Sequence, residues 1–135
     1  MANFALRKIE AINGRQEFDK LLVDERCPFD DFEAGLEEQY KQEMAGIYHY
    51  MQDVANLKPL PDTKFHFYDK NKKRHDSVRE FEFKSKHLRV YGITQPNGKI
   101  IITGGTKARQ KQEQNEFRKL KNQYLSSLSL RTTNK

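Results

Sequence analysis

The chain has 135 residues, 33% of them charged and 36% hydrophobic, enough for one domain and too few for two; no apolar run nears the roughly 20 residues of a membrane-spanning helix. A single cysteine, Cys27, excludes an internal disulfide and a cysteine-built zinc site, and the opening MANFALRKIEAING lacks the apolar block and cleavage site of a secretory signal, so a reducing cytoplasm is the expected home. The net charge of +6 conceals an asymmetry: residues 1–63 carry 7 Lys and Arg against 13 Asp and Glu, and residues 64–135 carry 18 against 6, so the second half suits a phosphate backbone or is simply a solvated basic surface.

Phe4 to Ile12 opens with alternating Phe4 and Leu6 and reads as a short strand. Asn13-Gly14 is a turn, and Asn13 is placed to cap a short helix through about Asp24, with Phe18, Leu21 and Leu22 on its buried face. Cys27-Pro28 interrupts it. From Asp30 or Asp31 a second, longer helix is expected, because Phe32, Leu36, Tyr40, Met44, Ile47, Tyr48, Met51 and Val54 step by three and four. Its opposite wall carries Glu33, Glu37, Glu38, Gln42 and Gln52. Pro59 and Pro61 end it.

From Lys64 the period becomes two. Lys64 to Tyr68 is a candidate strand, followed by a polar loop, DKNKKRHDS. Glu80 to Lys84 alternates, with Phe81 and Phe83 inward and Glu80, Glu82 and Lys84 outward. In the next strand Leu88 and Val90 point inward, and His87, Arg89 and Tyr91 outward. Pro96-Asn97-Gly98 turns into Lys99 to Thr103, an apolar strand buried on both faces and ended by Gly104-Gly105. A last helix is expected from about Gln110 to Ser126, with Phe117, Leu120, Tyr124 and Leu128 on one face, then a frayed tail over 127–135.

The expected architecture is a single α+β domain over 1–135: N-terminal helices packed on one face of a small antiparallel sheet, with a C-terminal helix. The other face would display Lys84, Lys86, His87, Arg89 and Tyr91, with Lys107 and Arg109 nearby. The four histidines, His49, His66, His75 and His87, occur singly without metal-ligand spacing, so no metal is expected. Cys27 has no basic neighbour but Arg26, which argues against a catalytic thiolate. TGGTK lacks the spacing of a P-loop. No cofactor is implied.

The basic constellation is the signal that remains. Cleavage of RNA without a metal needs a base for the 2′-hydroxyl, cations around the phosphorane-like charge and an acid for the leaving 5′-oxygen. Clustered Lys and Arg supply the second role, and a Lys, His or Tyr the others; Tyr91 and His87 are also of a type to stack on unpaired bases. The plain alternative pairs Arg89 and Lys84 with Glu80 or Glu82 across strands.

Residues 79–115, REFEFKSKHLRVYGITQPNGKIIITGGTKARQKQEQN, resemble the C-terminal half of RelE/HigB-type toxins of type II toxin–antitoxin systems, in the RelE/ParE superfamily. The shared order is an alternating Glu-Phe-Glu strand, a short turn, an apolar-Arg-Val-aromatic strand, a hairpin, and an apolar strand ending Gly-Gly-x-Lys; with the preceding helices the resemblance spans about 28–126. It implies a RelE-like fold and a ribosome-dependent mRNA endonuclease that inhibits translation without a metal. Its partners would be the ribosome with mRNA and a cognate antitoxin that covers the basic face, with no membrane and no small-molecule cofactor. By position, Arg89 matches the strand arginine that contacts the scissile phosphate. Lys84 and Lys86 fall where basic residues bind RNA backbone, one of them a possible base, and Lys107 matches the lysine after the double glycine. Arg79 and Arg109 join Lys107 as expected RNA-binding residues. Relatives often bring a catalytic Tyr or His from the C-terminal segment; here no Tyr follows Gly105 until Tyr124, and Tyr91 and His87 are substitutes rather than matches. The alternatives are a ParE-like inhibitor of gyrase without enzymatic activity, and a non-toxic basic nucleic-acid-binding module.

Overall fold

The computed structural model describes residues 2–68 and 78–133, with side chains to residue 129. The loop DKNKKRHDS, with its His75, and the last two residues of the tail lie outside the described residues. Among the described residues no helix is long and apolar enough to cross a membrane.

The chain folds as α+β. Among the described residues six strands, β1 (Phe4–Lys8), β2 (Glu17–Val23), β3 (Phe65–Phe67), β4 (Glu80–Lys84), β5 (Leu88–Gln95) and β6 (Gly98–Thr106), form one sheet in the order β1-β2-β6-β5-β4-β3. The sheet is mixed: β2 runs parallel to β6, with Phe18 beside Lys99, and the other pairs are antiparallel. The expectation of a purely antiparallel sheet is therefore corrected, because it left out β2. Phe18, Leu21 and Leu22 have helical spacing, but Phe18 and Leu21 lie on opposite faces of a strand and both are fully buried. A strand covered on both sides has no polar face to betray its period.

The expected long helix is two. Helix α1 (Pro28–Ala34) starts at Cys27, whose Sγ accepts from the Asp30 N–H at 3.4 Å, with Pro28 in the first turn. Cys27 is buried, and burial pushes its thiol up. Gly35 closes α1, and a 3-10 turn at Glu38–Tyr40 leads into α2 (Lys41–Ala55). The apolar period survives the break because Leu36 and Tyr40 still pack on the same core.

Helices α1 and α2 cover one face of the sheet, where Phe29, Met44, Ile47 and Met51 meet Phe18, Phe81, Phe83, Leu88, Val90 and Ile101. The C-terminal helix α3 (Gln110–Thr133) runs beyond the expected Ser126 and covers the other face, with Phe117 and Tyr124 over Leu21, Tyr91, Ile93, Ile100 and Ile102. The domain thus has three layers, and the face expected to lie open is roofed by α3.

That roof decides the fate of the outward residues. Glu80, Glu82, Arg89 and Tyr91 are 9%, 2%, 8% and 0% exposed. Tyr91 stacks on Phe117 with centroids 5.5 Å apart, an arrangement worth about 0.5–1.5 kcal/mol beyond its burial. Gly104 and Gly105 also differ from expectation: they lie inside β6 rather than ending it. A Cβ on Gly104 would stand 2.6 Å from the Phe32 ring of α1, and one on Gly105 would overlap the Glu113 carboxylate of α3. The pair gives the helices on the two faces room to approach the strand.

Candidate functional site

Three segments meet at one end of the sheet. The β4–β5 turn brings Ser85, Lys86 and His87; the 3-10 turn Lys107–Arg109 after β6 brings Lys107 and Arg109; the start of α2 brings Glu43, with Tyr40 just before it. The Lys107 N–H donates to the His87 carbonyl at 2.8 Å, which fastens the second segment to the first.

His87 is the centre of this end. Its Nδ1 lies 2.6 Å from Glu43 Oε2, and its backbone N–H donates to Oε1 at 2.9 Å. Ser85 Oγ donates to the same Oε1 at 2.5 Å and accepts the Leu88 N–H at 3.2 Å. The Tyr40 ring packs against the imidazole at 5.2 Å. Burial pushes the Glu43 carboxyl up, but hydrogen bonds from Ser85 and His87 outweigh it and hold the group below the ordinary carboxylate value. The His87 side chain is 46% exposed. A carboxylate on one ring nitrogen, with the other edge reachable, is how an imidazole is oriented for proton transfer. Ser85 bonds the carboxylate and not the imidazole, so this trio is not a nucleophilic triad.

Lys86, Lys107 and Arg109, all exposed, lie on the two segments that flank His87. Lys84 is half-buried, with Nζ 3.9 Å from Glu82 Oε2 on its own strand, so it is paired with a carboxylate along β4 rather than across strands. Arg89 is buried and donates through Nη1 to the Ser85 and Leu88 carbonyls at 2.7 and 2.8 Å. It braces the turn that carries His87 and is not displayed to solvent. Tyr91 is sealed in the core, and burial, then the Glu82 and Glu113 charges, push its hydroxyl far above the ordinary tyrosine value; no substrate reaches it in this conformation. Arg79 lies before the far end of β4, its guanidinium 3.9 Å over the Phe67 ring, apart from the other basic residues.

Under α3 runs a polar seam that sequence reading missed. Glu82 accepts from the Tyr68 hydroxyl at 2.5 Å and from Gln110 at 3.4 Å, with His66 Nδ1 at 3.4 Å. Glu80 is held by Arg118 Nε at 3.1 Å and Lys121 Nζ at 2.5 Å. Burial pushes the Glu80 carboxyl up, and Lys121 and Arg118 bring it below its ordinary value. Helix α3 is therefore tied to the sheet by charge as well as by Phe117.

Glu43, Tyr40 and Ser85 were not among the expected site residues. Nothing in the linear pattern separates Glu43 from the other acidic residues of that region, because its partner is 44 positions away. No family model matches the chain, and no curated protein or solved structure matches it.

Proposed function

We propose that this chain is a RelE/HigB-type toxin with a RelE-like fold, cleaving mRNA on the ribosome without a metal. The observation that carries the reading is the Glu43–His87 pair at an accessible end of the sheet, beside the exposed cations Lys86, Lys107 and Arg109. His87 takes the proton of a 2′-hydroxyl through its Nε2. The 2′-oxygen attacks the adjacent phosphorus, and the bond from phosphorus to the 5′-oxygen breaks. A lysine ammonium, Lys86 or Lys107, protonates that leaving oxygen, so the products are a 2′,3′-cyclic phosphate and a 5′-hydroxyl. Lys86, Lys107 and Arg109 stabilise the charge that grows on the phosphoryl oxygens. Arg89 acts through the turn it braces, and Tyr91 takes no part.

The ribosome supplies substrate positioning, so free RNA is a poor substrate. The basic end is also the surface an acidic antitoxin would cover, with association that slows as salt rises.

The test is controlled expression in bacteria of wild type, His87→Ala and Glu43→Gln, with primer extension across a translated transcript. Growth arrest with translation-dependent breaks, lost in His87→Ala and weakened in Glu43→Gln, is the expected result. Arrest with intact mRNA and induction of the DNA-damage response would replace this reading with gyrase inhibition. Absence of arrest from a folded, accumulated wild-type protein would leave a non-toxic nucleic-acid-binding module.

A further inference from the structure

At the opposite end of β6 from the His87 turn, a lysine occupies a position of the kind a buried strand gives to an apolar residue. Lys99 follows the Asn97-Gly98 turn, pairs with Phe18 of β2, and is 6% exposed. Its Nζ lies 2.7 Å from Gln16 Oε1, and among the described residues this is the acceptor it has. Burial pushes its ammonium below the ordinary lysine value, and among the described residues no charge acts to restore it. A buried ammonium without a carboxylate is costly and therefore rarely kept without use.

The lysine borders a pocket of about 360 Å³, within the range of roughly 300–1,000 Å³ usual for small-molecule sites. Val54 from the end of α2, Leu57 from the turn after it, Leu60 from the following connection, and Phe65 and Phe67 from β3 make its apolar walls. Leu57 has a φ of 64°, which leucine rarely adopts, and is 56% exposed beside the pocket. A leucine held open at a pocket wall is apolar surface that an occupant would cover. Lys58, Asp62 and His66 also border the pocket.

We propose that this pocket binds a small organic carboxylate with an apolar body. The carboxylate receives Lys99 Nζ and the Nε2 amide donors of Gln16, whose Oε1 is already turned to the lysine. The apolar body lies against Leu57, Leu60 and Phe65. Two donor groups match the two oxygens of a carboxylate; a phosphate would leave most of its acceptor sites unmet. A cationic head would meet Lys99. This occupancy does not depend on the nuclease reading, since no residue of the His87 end takes part.

The full chain, isotope-labelled, is titrated into the millimolar range with hydrocinnamate, its uncharged amide and phenylpropylamine, and followed by amide and side-chain nuclear magnetic resonance. Hydrocinnamate is expected to shift Gln16, Leu57, Phe65 and Lys99 and to bind at least roughly ten-fold tighter than the amide. The amine should bind weakest. Lys99→Met, checked for folding by circular dichroism, should abolish the preference for the carboxylate. Equal affinity for carboxylate and amide would overturn the proposal, as would unchanged selectivity in Lys99→Met or no response to any probe. Should Lys99→Met fail to fold, the wild-type comparison of carboxylate with amide decides alone.

Discussion

Glu43 holds the imidazole of His87 across the junction of α2 with the β4–β5 turn, with Oε2 2.6 Å from Nδ1. The other carboxylate oxygen takes the Ser85 hydroxyl and the His87 backbone N–H. One acidic residue thereby sets the tautomer and the tilt of the ring and ties the turn to the helix. Loss of His87 should lower translation-dependent cleavage by roughly 10²–10⁴-fold, the usual contribution of a general base. Glu43→Gln keeps the shape but not the charge. Its activity should fall less, because the amide oxygen can still hold Nδ1 while the charge that stabilises the protonated ring is gone. Activity equal to wild type would assign Glu43 a packing role alone.

Stability should fall in acid through two carboxylates. Glu43 and Glu80 both titrate below the ordinary value of 4.5 despite burial, Glu43 through Ser85 and His87 and Glu80 through Lys121 and Arg118. A folded-state pKa below the unfolded one gives stabilisation that is complete above the unfolded value and lost as pH falls through the folded one. Glu113 works in the opposite sense: burial raises its pKa, so the folded state gains from its protonation and loses that gain as pH rises above 4.5. Urea midpoints followed downward from neutral pH should drop for wild type and drop less for Glu80→Gln. Parallel curves for the two proteins would remove Glu80 from the account.

Arg89→Ala should be chiefly a stability variant. The side chain is 8% exposed and serves two carbonyls of the β4–β5 turn, and hydrogen bonds from charged donors contribute about 1.5–3 kcal/mol each. The unfolding free energy should fall by about 2–4 kcal/mol when the two are lost together with the buried stem. Arg89→Lys should recover little, since an ammonium cannot reproduce the guanidinium geometry. A wild-type denaturation curve for Arg89→Ala would show that the guanidinium is free for a ligand instead.

Gly92 and Gly105 should respond differently to alanine. Gly92 sits at the irregularity in the β5–β6 pairing, where a Cβ would lie 2.3 Å from the Ile100 carbonyl oxygen and 2.6 Å from the Phe81 ring. Neither backbone nor core ring can step aside, so Gly92→Ala should cost about 2 kcal/mol or more. At Gly105 the obstacle is the end of the Glu113 side chain, which can rotate away. Gly105→Ala should therefore cost clearly less, and thermal midpoints of the two variants compare them directly.

Much of the sheet was legible because alternation is a local property. Phe81 and Phe83, Leu88 and Val90, and the Asn97-Gly98 turn all stand where the period of two puts them. The same rule says which residues share a face and nothing about what lies over that face. Glu80, Glu82, Arg89 and Tyr91 do share one, and α3 covers it through Phe117, Arg118 and Lys121. Strand β2 was hidden for a related reason: burial on both sides leaves Phe18, Leu21 and Leu22 with a spacing that imitates a helix.

The sequence by itself determined the α+β class, the alternating strands from Phe65 onward, the terminal helix and the concentration of positive charge in the second half, since these depend on neighbours within a few residues. The tertiary structure decided the parallel pairing of β2 with β6, the burial of Arg89 and Tyr91, the union of Glu43 with His87, and the enclosure of Lys99 beside Gln16. Each of those joins residues far apart in the chain, where closing the loop is repaid by packing that only the assembled layers supply.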